Sequence, residues 1–166
     1  RRRCTHVALV HHETTTGRLN PLPDIARICA TRKIPLLVDA VSSFGAETID
    51  CRRWNIAACA ATANKCLHGV PGVSMVMVRR EDLRRGAAVP RSLYLDLSTY
   101  LAQQDARGTP YTQSVQCFYA LDEALQELRA RGGRSKRQQQ YRRHLRIIRT
   151  GLLRLGIKPL LAENES

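Results

Sequence analysis

The chain has 166 residues, 43% of them hydrophobic, enough for one sizeable core and part of another domain, and no apolar run is long enough to span a bilayer. A formal net charge of +13 raises binding to nucleic acid or an acidic surface, but aromatics make up only 5% of the residues and no nucleic-acid module motif occurs. Six cysteines, at 4, 29, 51, 59, 66 and 117, form no CxxC pair and no metal-ligand spacing; they read as reduced thiols of a cytoplasmic protein, with no metal site. In chain order, residues 7–10 predict a strand, too short for a signal-peptide core, and 11–17 a loop leading to Asn20 and Pro21. A helix is expected over 24–31, with Asp24 in its favourable first turn, and a strand over 34–38 whose branched, continuous apolar content predicts burial on both faces. Residues 40–44 predict a loop or short helix. Residues 56–61 predict a small-residue strand and 73–78 the clearest strand of all. Residues 94–104 predict a helix and 108–112 a loop. Another helix is expected over 113–131, with Val115, Phe118, Leu121, Leu125 and Leu128 on one stripe and a stop at Gly132-Gly133. Nine basic residues and no acidic one lie between Arg129 and Arg149, so most of the positive surplus sits in one segment. Tyr141, Leu145, Ile148, Leu152 and Leu155 recur there at helical spacing, which predicts an amphipathic helix with a solvated charged face.

Strands alternating with helices predict an α/β fold built on a mostly parallel, doubly wound sheet, whose ligands bind at the carboxyl ends of the strands. Asp39 falls at such an end, and Lys65 follows the next strand, in Asn64-Lys65-Cys66-Leu67-His68-Gly69-Val70-Pro71-Gly72. A lysine amine and a carboxylate are the two groups pyridoxal phosphate requires. The amine holds the cofactor as a Schiff base, and the carboxylate keeps its ring nitrogen protonated. The same residues also read as a solvated lysine and a turn-capping aspartate.

Three motifs in register carry a resemblance that runs from about Thr5 to about Glu127. They are His11-His12-Glu13-Thr14-Thr15-Thr16-Gly17-Arg18-Leu19-Asn20-Pro21, Val38-Asp39-Ala40-Val41-Ser42-Ser43-Phe44-Gly45 and Ala63-Asn64-Lys65 onward to Gly72. Together they resemble the class V aminotransferases of pyridoxal phosphate fold type I. The resemblance implies part of that fold's large domain over 1–131, a basic amphipathic linking helix over 132–155, and the start of a smaller C-terminal domain over 156–166. It implies pyridoxal 5'-phosphate as cofactor, with Lys65 as its covalent anchor and acid/base and Asp39 on its ring nitrogen. Thr14 and Ser42 are implied near its phenolic oxygen and Asn64 at its phosphate. Thr112, in the loop at 108–112, is implied to reach the phosphate bound in the partner subunit of a homodimer.

The implied reaction takes an amino group from an amine donor, expected to be 2-aminoethylphosphonate, and passes it to a keto acid such as pyruvate. Alanine:glyoxylate or serine transamination shares the frame and stands as an alternative, and so does a chain that binds without turnover. A cysteine desulfurase is disfavoured because none of the six cysteines is an obvious mobile nucleophile. Arg79, Arg80 and Arg91 read either as contacts to an anionic substrate or as solvated surface arginines. Against the family's pattern, the expected glycine-containing phosphate loop and the aromatic that stacks on the cofactor ring have no counterpart before Arg1. The carboxylate-binding arginine is expected beyond Ser166.

Overall fold

A computed structural model describes residues 4–85 and 92–166. Strands β1 (Val7–Val10), β4 (Leu36–Asp39), β5 (Ile56–Thr62) and β6 (Ser74–Val78) form a four-stranded sheet in the order β1-β4-β5-β6. β1 and β5 both run parallel to β4, while β6 is antiparallel to β5, so the sheet is mixed and largely parallel. β2 (His12–Glu13) and β3 (Arg18–Leu19) make a small antiparallel hairpin between β1 and helix α1 (Leu22–Thr31).

α1 carries a proline in its first turn, where a missing N–H costs nothing, and Asp24 beside the positive end of its dipole. Leu22, Ala26 and Cys29 recur at helical spacing and pack on Leu36, Val38, Ile56 and Cys59 of the sheet. Each large side chain buried there contributes about 1.5–3 kcal/mol. Leu36 pairs with Ile56 but Leu37 with Ala58, so Ala57 is an extra residue that bulges the start of β5. Cys59 is fully buried in the resulting core, where burial, with Cys51 nearby, pushes its thiol pKa up to about 12. It is an inert packing residue.

Helix α2 (Arg80–Arg85) leads towards α3 (Leu97–Asp105). The carboxylate of Asp96 caps α3 by accepting the Ser98 and Thr99 N–H groups. α4 (Val115–Ala130) and α5 (Gly133–Arg154) follow, separated by Arg131 and Gly132, with Gly132 and Gly133 at φ 88° and 73°. Beyond α5 the chain folds back. Arg149 donates to the Leu161 carbonyl at 2.6 Å, and Glu165, in the 3-10 turn Glu163–Glu165, pairs with Arg18 at 3.0 Å.

Three expectations change. Leu36 and Val38 are buried, but Leu37 and Asp39 are exposed, so β4 has one covered face rather than two. The uncovered face carries Val10, Leu37 and Val76 in the open. On α4, Leu121 is buried while Val115 and Phe118 are exposed, so the apolar stripe is covered only over its C-terminal part. Along α5 the expected stripe is half-buried at Tyr141, Leu145 and Leu152 but exposed at Ile148 and, just past the helix, at Leu155, and the packed face also takes in Arg137, which is 5% exposed. No helix among the described residues is long and apolar enough to cross a membrane.

Candidate active site

β1, β4 and β5 run in one direction, so their carboxyl ends share one sheet edge. That edge is stitched by the His11 N–H to the Asp39 carbonyl at 2.9 Å and the Ala40 N–H to the Ala60 carbonyl at 2.9 Å. Asp39 is the last residue of β4, in one row with Val10 and Ala60. Its Oδ1 accepts the Val41 N–H at 2.9 Å, which is the turn-capping role. Among the described residues Oδ2 accepts no hydrogen bond, which leaves one oxygen available as an acceptor.

Ser42 gathers the three motifs. Its hydroxyl lies 2.9 Å from the Thr14 hydroxyl, so one donates to the other and leaves a second proton for an outside acceptor. Its carbonyl accepts His12 Nδ1 at 3.2 Å and the Cys66 thiol at 3.4 Å. The β1 loop and the lysine turn therefore both end on the turn after Asp39. His12 Nε2 also faces the Gly17 carbonyl at 3.2 Å.

Lys65 lies in the β5–β6 connection, exposed, and its amine makes no hydrogen bond among the described residues. The connection is closed by three bonds: Ala63 N–H to the Val73 carbonyl at 3.0 Å, Gly69 N–H to the Ala63 carbonyl at 2.9 Å, and His68 N–H to the Lys65 carbonyl at 2.9 Å. Asn64 Oδ1 accepts the Thr62 hydroxyl at 2.9 Å, which turns its Nδ2 donors outward. Gly45, at φ 95°, lets the Ser42 turn approach the lysine turn: a Cβ there would stand 2.7 Å from Leu67 and 3.3 Å from the Cys66 backbone.

Thr112 is not brought to the other five residues. It lies exposed between α3 and α4, and no hydrogen bond among the described residues links it to them. The arginines considered as substrate contacts are engaged elsewhere: Arg79 with Asp82 and Asn55 at 2.7 Å, and Arg80 with Asp105 at 2.6 Å. Arg91 lies outside the described residues.

Burial, together with the neighbouring His12, lowers the His11 pKa to about 4, and its ring is held 2.9 Å from the Ser43 hydroxyl. Burial also lowers the His68 pKa, aided by the charges of Arg137 and Arg131, and raises those of the Cys66 thiol and the Tyr141 hydroxyl. The Glu13 carboxyl is held below its usual range by the Thr15 backbone N–H and hydroxyl. Sequence reasoning missed His11, Cys66, Arg137 and Tyr141 as parts of this site. For Arg137 and Tyr141 a signal was present: Arg134, Arg137, Gln138 and Tyr141 are polar residues at the spacing of one helix face.

The family described as aminotransferase class-V matches residues 1–160. Among curated relatives, the 2-aminoethylphosphonate–pyruvate transaminase of Aeromonas hydrophila subsp. hydrophila is 42% identical over 96% of this chain. One named 2-aminoethylphosphonate–pyruvate transaminase 1, from Cupriavidus pinatubonensis, is 43% identical over 95%. In both cases the chain spans 42% of the relative's length. Among solved structures, an alanine–glyoxylate aminotransferase from Nostoc sp. superposes with a TM-score of 0.83 at 28% identity, over 92% of this chain and 41% of that one.

Proposed function

The chain belongs to the class V aminotransferase family, and from that premise we propose that it forms the lysine-bearing part of a pyridoxal phosphate enzyme. The proposed reaction moves the amino group of 2-aminoethylphosphonate to pyruvate, giving phosphonoacetaldehyde and alanine. The cofactor role is supported chiefly by three motifs far apart in sequence meeting at Ser42, on the edge where Asp39 and Lys65 stand, and the choice of donor and acceptor by the curated relatives at 42% and 43% identity.

Bound pyridoxal 5'-phosphate supplies an electrophilic aldehyde and, with its ring nitrogen protonated, an electron sink. The residues present fit such a group. Asp39 Oδ2 would hold the proton on the ring nitrogen, and the Thr14–Ser42 hydroxyl pair has one proton to give a phenolic oxygen. Asn64 Nδ2 can donate to a phosphate oxygen, and the Thr112 hydroxyl can do the same for a partner subunit. The Lys65 amine is unencumbered, so it can bind a carbonyl carbon and, once released, carry a proton on Nζ; both tasks need the neutral amine. A homodimer is supported by the aromatic cluster of Tyr94, Tyr100 and Tyr111 beside the Thr112 loop, with Leu93 and Leu95 exposed next to it. A monomeric sedimentation coefficient at micromolar protein would overturn that arrangement. Six free thiols accord with a reducing, cytoplasmic setting.

The test is covalent capture. Borohydride added with pyridoxal phosphate should place the reduced adduct on the Lys65 peptide, and Lys65→Ala should lose both the adduct and at least about 100-fold in transamination. Adduct formation on Lys33, Lys136 or Lys158 instead would reject the assignment. In a donor panel with pyruvate as acceptor, 2-aminoethylphosphonate should be used best. Preference for alanine with glyoxylate would select the second reading, which the 28% identical alanine–glyoxylate aminotransferase supports.

A further inference from the structure

Along α5, Arg134, Arg137, Gln138 and Tyr141 occupy positions i, i+3, i+4 and i+7, and so lie on one face. Each makes a hydrogen bond off the helix, and all four end on one of two turns. Arg134 Nη1 donates to the Ala46 carbonyl at 3.4 Å, and Gln138 Nε2 to Glu47 Oε2 at 2.6 Å. Arg137 Nη1 donates to the Cys66 carbonyl at 2.6 Å, and the Tyr141 hydroxyl lies 2.5 Å from His68 Nε2. The first pair holds the turn that follows Asp39. The second holds the turn that contains Lys65.

Arg137 is buried without a carboxylate: among the described residues none lies within ion-pair distance of it. A buried guanidinium with no countercharge is costly, so the carbonyl it reaches has to be a fixed part of the fold. That carbonyl belongs to Cys66, the residue directly after Lys65. His68 closes the turn at φ 65°, a left-handed conformation that a non-glycine residue keeps only when its surroundings hold it. Tyr141 supplies such a hold.

We propose that Arg137 and Tyr141 are positioning residues: through the Cys66 carbonyl and the His68 ring they fix the lysine turn against the Ser42–Glu47 turn, and so set where the Lys65 amine stands relative to Asp39. The catalytic meaning of this clamp rests on the cofactor role proposed for Lys65. The clamp itself is a statement about backbone order and can be measured without cofactor. Gln138 and Arg134 complete it from the Asp39 side, so one helix face spans both halves of the site.

The experiment is amide hydrogen exchange on cofactor-free wild type, Arg137→Met, Arg137→Lys and Tyr141→Phe, followed by the rate at which borohydride traps pyridoxal phosphate on Lys65. In Arg137→Met the amides of His68 and Gly69 should exchange about tenfold faster or more, while the β5 ladder keeps its protection. Arg137→Lys, which retains a charged donor, should lie nearer wild type, and Tyr141→Phe should loosen the turn while removing a single oxygen. Capture at Lys65 should slow in the same order. Exchange over 64–70 within twofold of wild type in the folded variants would overturn the clamp, and so would a rise that only follows that of β5. If Arg137→Met does not fold, Tyr141→Phe decides. Wild type that never captures the cofactor, yet shows the loosened turn in the variants, would refute the proposed cofactor role and leave the clamp standing.

Discussion

His11 shows how a residue outside the expected site can govern the protein's response to acid. Its folded pKa is about 4 against an ordinary 6.5, because a buried imidazole is poorly placed to carry charge. Above pH 6.5 both folded and unfolded chains hold it neutral. Between 6.5 and 4 the unfolded chain takes up a proton that the folded chain refuses, so stability falls as pH falls, by about 3 kcal/mol in full. Urea unfolding midpoints measured from pH 7 to 4 should decline for wild type and decline less for His11→Asn; equal slopes would remove His11 as the cause. The proposed contacts Lys65, Asp39, Thr14, Ser42 and Asn64 can be picked out in the sequence because the chemistry proposed for them is carried by short motifs. Arg137 was signalled only by the polar helix face it shares with Arg134, Gln138 and Tyr141; its partner is a backbone carbonyl 71 residues away, and a carbonyl leaves no mark in residue identity.

At the scale of elements, the Ser42 turn and the lysine turn approach closely, and Gly45 permits it. Gly45→Ala adds a Cβ 2.7 Å from Leu67 at a φ of 95°, and should destabilise the fold by at least about 1–2 kcal/mol in denaturant titration. Asp96→Ala removes the cap of α3 and should cost about 1 kcal/mol, with Asp96→Ser recovering most of it. Element existence was readable from apolar patterning, but the ends were set by details. β4 begins after Pro35, two residues into the expected run over 34–38. α3 begins at Leu97 rather than 94 because Asp96 accepts the Ser98 and Thr99 N–H groups. The periodicity of α5 picked out the half-buried side at Tyr141, Leu145 and Leu152 but not that this side is a polar seam, because Tyr141 fits an apolar stripe as readily and only its contact with His68 distinguishes the two.

For the whole molecule, the dominant fact is a sheet covered on one face. Val10, Leu37 and Val76 lie open on the other. A continuous apolar run such as that around Leu37 predicts burial on both sides, and nothing in its local sequence says that one side stays uncovered in this chain. Such surface binds apolar dyes and promotes association. Leu37→Thr with Val76→Thr should therefore reduce ANS fluorescence at least about twofold with little loss of unfolding midpoint; unchanged fluorescence would put the open surface elsewhere. The antiparallel pairing of β5 with β6 has a further consequence, for the order in which the site comes together. Lys65 is delivered by a hairpin whose two strands lie close in sequence, the kind of contact that closes early because little chain has to be looped. Asp39 arrives by parallel pairings that must first bring β1, β4 and β5 together across intervening segments. On these contact separations the lysine turn is expected to form first, with docking of β4 completing the pair.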